Sequence, residues 1–389
     1  MEALYLYDPR LADYDYGEAH PLKMRRLRLA YELTRACGLL DAPGIRQVVP
    51  RMATEAELLV AHDPTYLRVL AEAESGRLPP EGPRYGLGPW GDNPVFPGLW
   101  TVARTIAGGS LEAADRVAAG EVRVAMWIAG GLHHALRDRA SGFCYLNDPV
   151  LAIHRLLERG LSRIAYIDID AHHGDGVEFA FEDDDRVLTI SLHQDGRTLF
   201  PGTGFVEDIG KGRGRGYAVN VPLLPGADDA VIVEAFEAVV PPFLDAFRPD
   251  AVVAQLGVDA FATDPLAQLQ LTTVGFEAMV RRIAALAPRL VALGGGGYNL
   301  GNVARGWTLA WAVVTGQTVP DTVPASMREA LRREGYAGDR MRDPGPAEWQ
   351  AGTGVPLCTP APARVREAAR AACAYLLREA LPLVRAGRG

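Results

Sequence analysis

Residues 167–177 read Ile-Asp-Ile-Asp-Ala-His-His-Gly-Asp-Gly-Val, placing three carboxylates and two imidazoles at the end of an apolar run. Ala165 to Ile169 has the composition of a buried strand, and a buried strand does not ordinarily finish in ionisable groups. Gathering such groups without partners costs several kcal/mol each through lost hydration. A divalent cation removes that cost, and Asp and His are good ligands for one. A calcium loop starting at Asp168 would need Gly at its sixth position and Glu at its twelfth. Those positions hold His173 and Phe179. A surface turn rich in Asp and Gly explains the glycines but not the adjacent histidines. The segment is read as part of a metal site.

Working outward, apolar β-branched runs alternate with segments of helical period. Strands are expected near Ala3–Tyr7, Val122–Ile128, Arg163–Ile169, Val187–Leu192, Tyr217–Val221, Ala251–Leu256 and Leu290–Leu293. Helices are expected over Thr101–Ala119, Pro149–Arg159, Ala230–Phe247 and Thr273–Ala287. This alternation predicts right-handed βαβ units and a mainly parallel central sheet flanked by helices, a three-layer α/β fold. Four of the strands run directly into unusual residues: Gly130-Gly131-Leu132-His133-His134, Asp170 to Asp175, Gly257-Val258-Asp259, and Gly294 to Tyr298. Open parallel sheets bind ligands beyond the carboxyl ends of their strands, so these residues are expected to share one rim.

Gly76 to Leu99 is rich in Gly and Pro, carries Tyr85, Trp90 and Phe96, and reads as a long ordered loop over that rim. After residue 318 the chain turns polar and Pro-rich before a helical stretch from Ala363 to Leu383. Residues 1–318 are therefore expected to form the catalytic domain, with 319–389 an appendage packed on it.

Bulk properties narrow the classes further. The chain has 389 residues, 48% hydrophobic and 23% charged, as ordinary globular proteins do. It lacks an apolar stretch of membrane-spanning length, and its first residues lack a basic leader region, which leads us to expect a cytoplasmic protein with no membrane partner. The four cysteines form no CxxC pair, in keeping with a reducing compartment. A formal net charge of −8 argues against a nucleic-acid partner. The short basic run between Gly210 and Gly216 is read as a solvated turn. All but two of the 40 basic residues are arginine, the exceptions being Lys23 and Lys211; no function is read from this bias.

Five of the eight histidines, His133, His134, His172, His173 and His193, fall at expected strand ends. Adjacent histidines after Gly-Gly, with carboxylates at hand to fix tautomer and basicity, suit general acid–base work. The tetraglycine before Tyr298 lacks the GxGxxG or GK[ST] pattern of a phosphate loop.

Taken in order, Gly130 to Ala135, Gly142-Phe143-Cys144-Tyr145-Leu146-Asn147-Asp148, Asp168 to Val177, Phe200-Pro201-Gly202-Thr203-Gly204, Asp264-Pro265 and Gly294 to Asn299 resemble the zinc-dependent histone deacetylase superfamily. The likeness is narrower to bacterial acetoin-utilisation-type members, relatives of the class I enzymes, and spans about residues 1 to 315. It implies an arginase/deacetylase-like fold and hydrolysis of ε-N-acetyl-lysine to lysine and acetate.

Carried over by position, the resemblance makes Asp170, His172 and Asp259 the metal ligands. Asp170 and His172, two apart, would project to one side of an extended segment. Three protein ligands leave room for water and substrate, as a catalytic zinc site requires, and the hard donor set also suits Fe²⁺ or Co²⁺. His134 is the expected general base and His133 its charged neighbour, paired respectively with Asp175 and Asp168; which histidine takes which part stays open. Tyr298 is the expected oxyanion donor. Phe143 and Phe200 would wall a tunnel completed by Gly142 and Leu266, with Leu199 where relatives commonly carry a second aromatic. Asp92 matches a rim acid that anchors substrate amides, and Arg26 a basic residue behind the metal. The resemblance also implies structural K⁺ held through Asp168, Asp170, His172, Ser191 and Leu192, and a second K⁺ near Phe181, Asp184, Val187 and Tyr217.

The expected partner is an acetylated protein or peptide. Three alternatives stay open: an amidohydrolase for acetylpolyamines or other small N-acyl amines, a non-enzymatic binding module on the same fold, and a two-manganese ureohydrolase, for which only one full ligand set is visible. Oligomeric state is not legible.

Overall fold

The structure is a computed structural model that describes residues 2–88, 91–344 and 360–387. Trp90 and Cys358, both singled out in the sequence, lie outside the described residues.

Eight strands form one sheet: β1 (Ala3–Leu6), β2 (Ile45–Val48), β3 (Val124–Trp127), β4 (Ile164–Asp168), β5 (Val187–Gln194), β6 (Ala218–Leu223), β7 (Ala251–Gln255) and β8 (Leu290–Leu293). Their spatial order is β2-β1-β3-β8-β7-β4-β5-β6 and every neighbouring pair is parallel. Seven were expected from the sequence. The eighth, β2, reads Ile-Arg-Gln-Val and lies at an edge with no fully buried residue, so it has neither the apolar run nor the alternation that marks a strand. The central strands β3, β4, β7 and β8 are buried throughout, as a sheet covered on both faces demands.

The register aligns the ends of the strands. Leu6, Trp127, Leu293, Gln255, Asp168, Ser191 and Asn220 occupy one row across seven of them. The row is apolar as far as Leu293 and polar from Gln255 onward, and the unusual residues all follow directly after it. Insertion of β7 and β8 between β3 and β4 makes a topological switch point at this place, where a crevice forms.

Helices cover the two faces. The expected ones span Leu99–Ala118, Asp148–Glu158, Asp229–Phe247 and Thr273–Leu286. Two more, Arg25–Ala36 and Leu300–Thr315, pack on each other, and the latter is buried along nearly its whole length. Beyond residue 318, a helix over Ala363–Glu379 lies against β6 and the Asp229–Phe247 helix, covering an edge that would otherwise expose unpaired strand groups. Arg305 and Asp343 tie the polar segment to the core by a 2.7 Å ion pair. No helix among the described residues is long and apolar enough to cross a membrane.

Candidate active site

β4 ends at Asp168, and the next residues bend rather than extend. The backbone amide of Asp170 donates to Asp168 Oδ1 (3.1 Å), and that of His172 donates to Asp170 Oδ1 (3.0 Å). The expected extended geometry for Asp170 and His172 is therefore corrected: two successive Asp-anchored turns, not strand alternation, bring them together. Asp259 arrives from the turn after β7, and its Oδ1 accepts the amide of Ala171 (2.8 Å). His172 Nδ1 lies 3.1 Å from Asp170 Oδ1 and 3.0 Å from Asp259 Oδ2. All three side chains are buried, with their ligand atoms within 4.8 Å of one another.

This triad gathers buried ionisable groups that could hold a metal ion. Burial pushes both carboxyls up. For Asp170, the imidazoles of His133 and His172 outweigh it and hold the group well below its ordinary range. Asp259, beside the charge of Asp170, is pushed up to about 7. Burial opposes a charge on His172, but the two carboxylates raise it to about 10. Two buried carboxylates and one imidazole, with one ligand atom from each within 4.8 Å of the others, fit a divalent metal with open coordination positions once His172 has given up its proton.

The twin histidines follow β3. His133 Nδ1 lies 2.7 Å from Asp168 Oδ2, and His134 Nδ1 lies 2.7 Å from Asp175 Oδ1. Burial works against a proton on either ring. In His133 the charges of Asp168 and Asp170 prevail and raise it to about 9. In His134 burial, reinforced by charged His133, lowers it to about 4. Asn147 buttresses the turn by donating to the carbonyls of His133 and Ala135, and Asp148 accepts the amides of Gly131 and Leu132.

Tyr298 precedes Asn299, whose side chain caps the Leu300–Thr315 helix through the amide of Asn302. Asp264 accepts the amides of Tyr298, Asn299 and Leu266, so the tyrosine and Leu266 are fixed to one carboxylate. The Tyr298 ring meets Phe143 edge-on at 5.7 Å. Phe200, 41% exposed, stands edge-on to His134 at 5.0 Å and to His172 at 6.4 Å. Gly142 sits between His134 and Phe200 with φ +49°; a Cβ there would lie 2.6 Å from the one and 2.8 Å from the other. Phe143 also takes a left-handed backbone, at φ +70°, a conformation rare for an aromatic residue.

Asp92 is exposed, and its backbone carbonyl accepts from His20 Nε2 (3.2 Å), whose ring packs edge-on to Phe143 at 4.6 Å. Arg26 is buried; its Nη1 donates to the Gly297 carbonyl (2.9 Å) and its guanidinium lies over Trp307. Arg26, Cys144, Tyr298 and the twin histidines line one small cavity together with Asp170 of the triad. Ser191 stands beside Asp168 in the register and Leu192 follows it; at the start of β5 the Val187 amide donates to the Asp184 carbonyl, and the Asp184 amide donates to that of Phe181.

Several residues at the site escaped the sequence reading. Gln255 Nε2 donates to Asp170 Oδ2 (2.7 Å), and its oxygen accepts the Gly257 amide. Tyr166 donates its hydroxyl to Asp168 Oδ2 (2.6 Å). Period-2 placement of Tyr166 before Asp168 was a signal that could have found it. Gln255 carried only the weak one of a polar side chain ending an apolar run.

The sequence model of the histone deacetylase domain matches residues 20–314. The chain belongs to the histone deacetylase family. It is 39% identical over 322 residues to the acetoin utilization protein AcuC of Bacillus subtilis, covering 81% of this chain and 82% of that one. It is 41% identical over 323 residues to histone deacetylase RPD3 of Saccharomyces cerevisiae, covering 82% of this chain and 73% of the relative. Among solved structures, the crystal structure of a histone deacetylase homologue from Aquifex aeolicus matches with a TM-score of 0.85 and 33% identity, over 96% of this chain and 100% of that one. The fold is the arginase/deacetylase-like α/β fold, and the protein is a deacetylase of a metal-dependent family, as the sequence motifs led us to expect.

Proposed function

We propose that this deacetylase hydrolyses the ε-acetamide of acetyl-lysine in proteins or peptides, using Zn²⁺ held by Asp170, His172 and Asp259. The observation that carries this reading is the convergence of that triad with His133, His134 and Tyr298, with Phe200 edge-on to His134 and Phe143 edge-on to Tyr298.

A bound divalent ion supplies Lewis acidity to the amide carbonyl and to water, and Fe²⁺ or Co²⁺ would supply the same. The neutral His134 accepts a proton at Nε2 from the attacking water, while Asp175 holds its Nδ1–H and steadies the resulting charge. The water oxygen bonds to the carbonyl carbon, and the Tyr298 hydroxyl donates to the oxyanion that forms. His133, charged through Asp168, gives its proton to the departing amine as the C–N bond breaks, leaving lysine and acetate. Phe143 and Phe200, with Gly142 and Leu266, grip the methylenes. Asp92 accepts amide hydrogens of a peptide at the rim, which favours a peptide over a small amine. Arg26 draws the acetate inward. The Asp168–Ser191 pair and the Asp184–Val187 turn are assigned to structural K⁺. We place the enzyme in the cytoplasm, with no nucleic acid or membrane among its partners.

The alternative substrate is an acetylpolyamine or other small N-acyl amine. Metal-reconstituted enzyme assayed against acetyl-lysine peptides and N-acetylputrescine separates the two. The proposal expects kcat/KM at least about tenfold higher for the peptide, a difference of 1.4 kcal/mol in transition-state binding. The reverse preference would assign the site to small amines.

A further inference from the structure

His173 and His193 take no part in the chemistry above, yet both are buried close to it, with ring centroids 4.7 Å apart. His193 Nε2 lies 2.9 Å from the Gly204 carbonyl, which can only accept, so this nitrogen carries the proton and Nδ1 accepts from the Ser191 hydroxyl (2.8 Å). His173 is arranged alike. Its Nε2 lies 3.0 Å from Glu178 Oε2, and its Nδ1 lies 2.9 Å from the Thr203 hydroxyl. Asn220 donates to the same Glu178 oxygen at 2.6 Å, which fixes that carboxylate from β6. The two imidazoles thus grasp consecutive residues, Thr203 and Gly204, of the loop that presents Phe200. Gly204 has φ +78°, and a Cβ there would fall 2.5 Å from the His193 ring and 2.6 Å from that of His173. The loop is seated directly on the rings, and the exposed Phe200 it carries faces His134 and His172.

We propose that His173 and His193 are positioning residues that set substrate grip by clamping the Phe200 loop through Thr203 and Gly204. The inference rests on the reading that an acyl-lysine side chain passes Phe200. Two side chains held by fixed tautomers leave the loop a single seat, so loosening it weakens substrate binding rather than chemistry.

Thr203→Val removes the hydroxyl that His173 accepts while keeping the shape, and Thr203→Ser restores it. With an acetyl-lysine peptide, Thr203→Val is expected to raise KM by about tenfold with kcat within about twofold, and in a Phe200→Ala background its effect should shrink below about twofold, because the two changes share one route. Thr203→Ser should behave as wild type. An unchanged KM in Thr203→Val, or an effect that persists in full alongside Phe200→Ala, would overturn the clamp. If the wild-type enzyme hydrolyses no acyl-lysine, the proposed substrate fails and loop cleavage decides the clamp. Arg197 on this loop has a 68% exposed side chain. Trypsin should then cut after it at least about threefold faster in Thr203→Val; an equal rate would overturn the clamp.

Discussion

Nε2 of His133 and Nε2 of His134 lie 3.0 Å apart, so in the resting site one nitrogen carries a proton and the other accepts it. Their carboxylate partners decide which. Asp168 is fully buried and also accepts Tyr166, and together with Asp170 it holds the charge on His133, whereas His134 is left neutral by burial and by its neighbour. An acid and a base thus stand side by side at one pH.

The sign of the pH dependence follows. His134 must be neutral to take a proton, so activity rises as pH climbs through its lowered value, about 4. His133 must be charged to give one, so activity is lost as pH rises through its elevated value, about 9. A bound cation repels both protons and moves both limbs down without changing their order. Asp168→Asn removes the charge that holds the His133 proton, and the alkaline limb of kcat/KM should move down by about one unit or more. An alkaline limb that stays in place would show that another group donates.

Metal uptake should release a proton. His172 is raised to about 10 by Asp170 and Asp259 against the effect of burial, and it can bind a cation only after losing its proton. At pH 8, titration of the metal-free protein with Zn²⁺ in buffers of different ionisation enthalpy should show about one proton released per ion. Buffer-independent heats would contradict this.

In the proposed metal site, Gln255 steadies Asp170 without itself being a ligand. Its Nε2 donates to Asp170 Oδ2 beside the amide of Gly296, which donates to the same oxygen at 2.8 Å. Gln255→Leu should weaken metal affinity by about 10–100-fold, with activity recovered as metal is added. Unchanged affinity measured by competition with a chelator would remove Gln255 from the site.

Gly142→Ala puts a Cβ into both His134 and Phe200 at a left-handed backbone position. A displacement approaching 1 Å of a reacting group costs about 100-fold, and that loss is expected in kcat/KM. Bound metal should remain at wild-type stoichiometry, because no triad ligand is touched.

The parallel sheet was legible because its central strands are buried on both faces and so read as continuous apolar runs. The rim was legible because ionisable residues follow those runs directly, at Asp170, Asp259 and His133. The edge strand β2 escaped because an exposed edge needs no apolar pattern. The bend that brings Asp170 to His172 was missed because Asp-anchored turns and strand alternation can place two residues in the same spacing. Gln255 acts on a carboxylate through a contact that no local pattern announces, since it and Asp170 are 85 positions apart, whereas the period-2 spacing of Tyr166 and Asp168 was there to be read. His20, which carries the Asp92 loop onto Phe143, is a lone histidine in the sequence and gains meaning only from the fold.

The proposed hydrolysis requires one cation at Asp170, His172 and Asp259. Crystals grown with Zn²⁺ and measured on both sides of the zinc absorption edge test this directly. The predicted result is a single strong anomalous peak at about 2.0–2.2 Å from an oxygen of each aspartate and from His172 Nδ1. A triad without a peak, or zinc bound elsewhere while the enzyme still deacetylates, would contradict it.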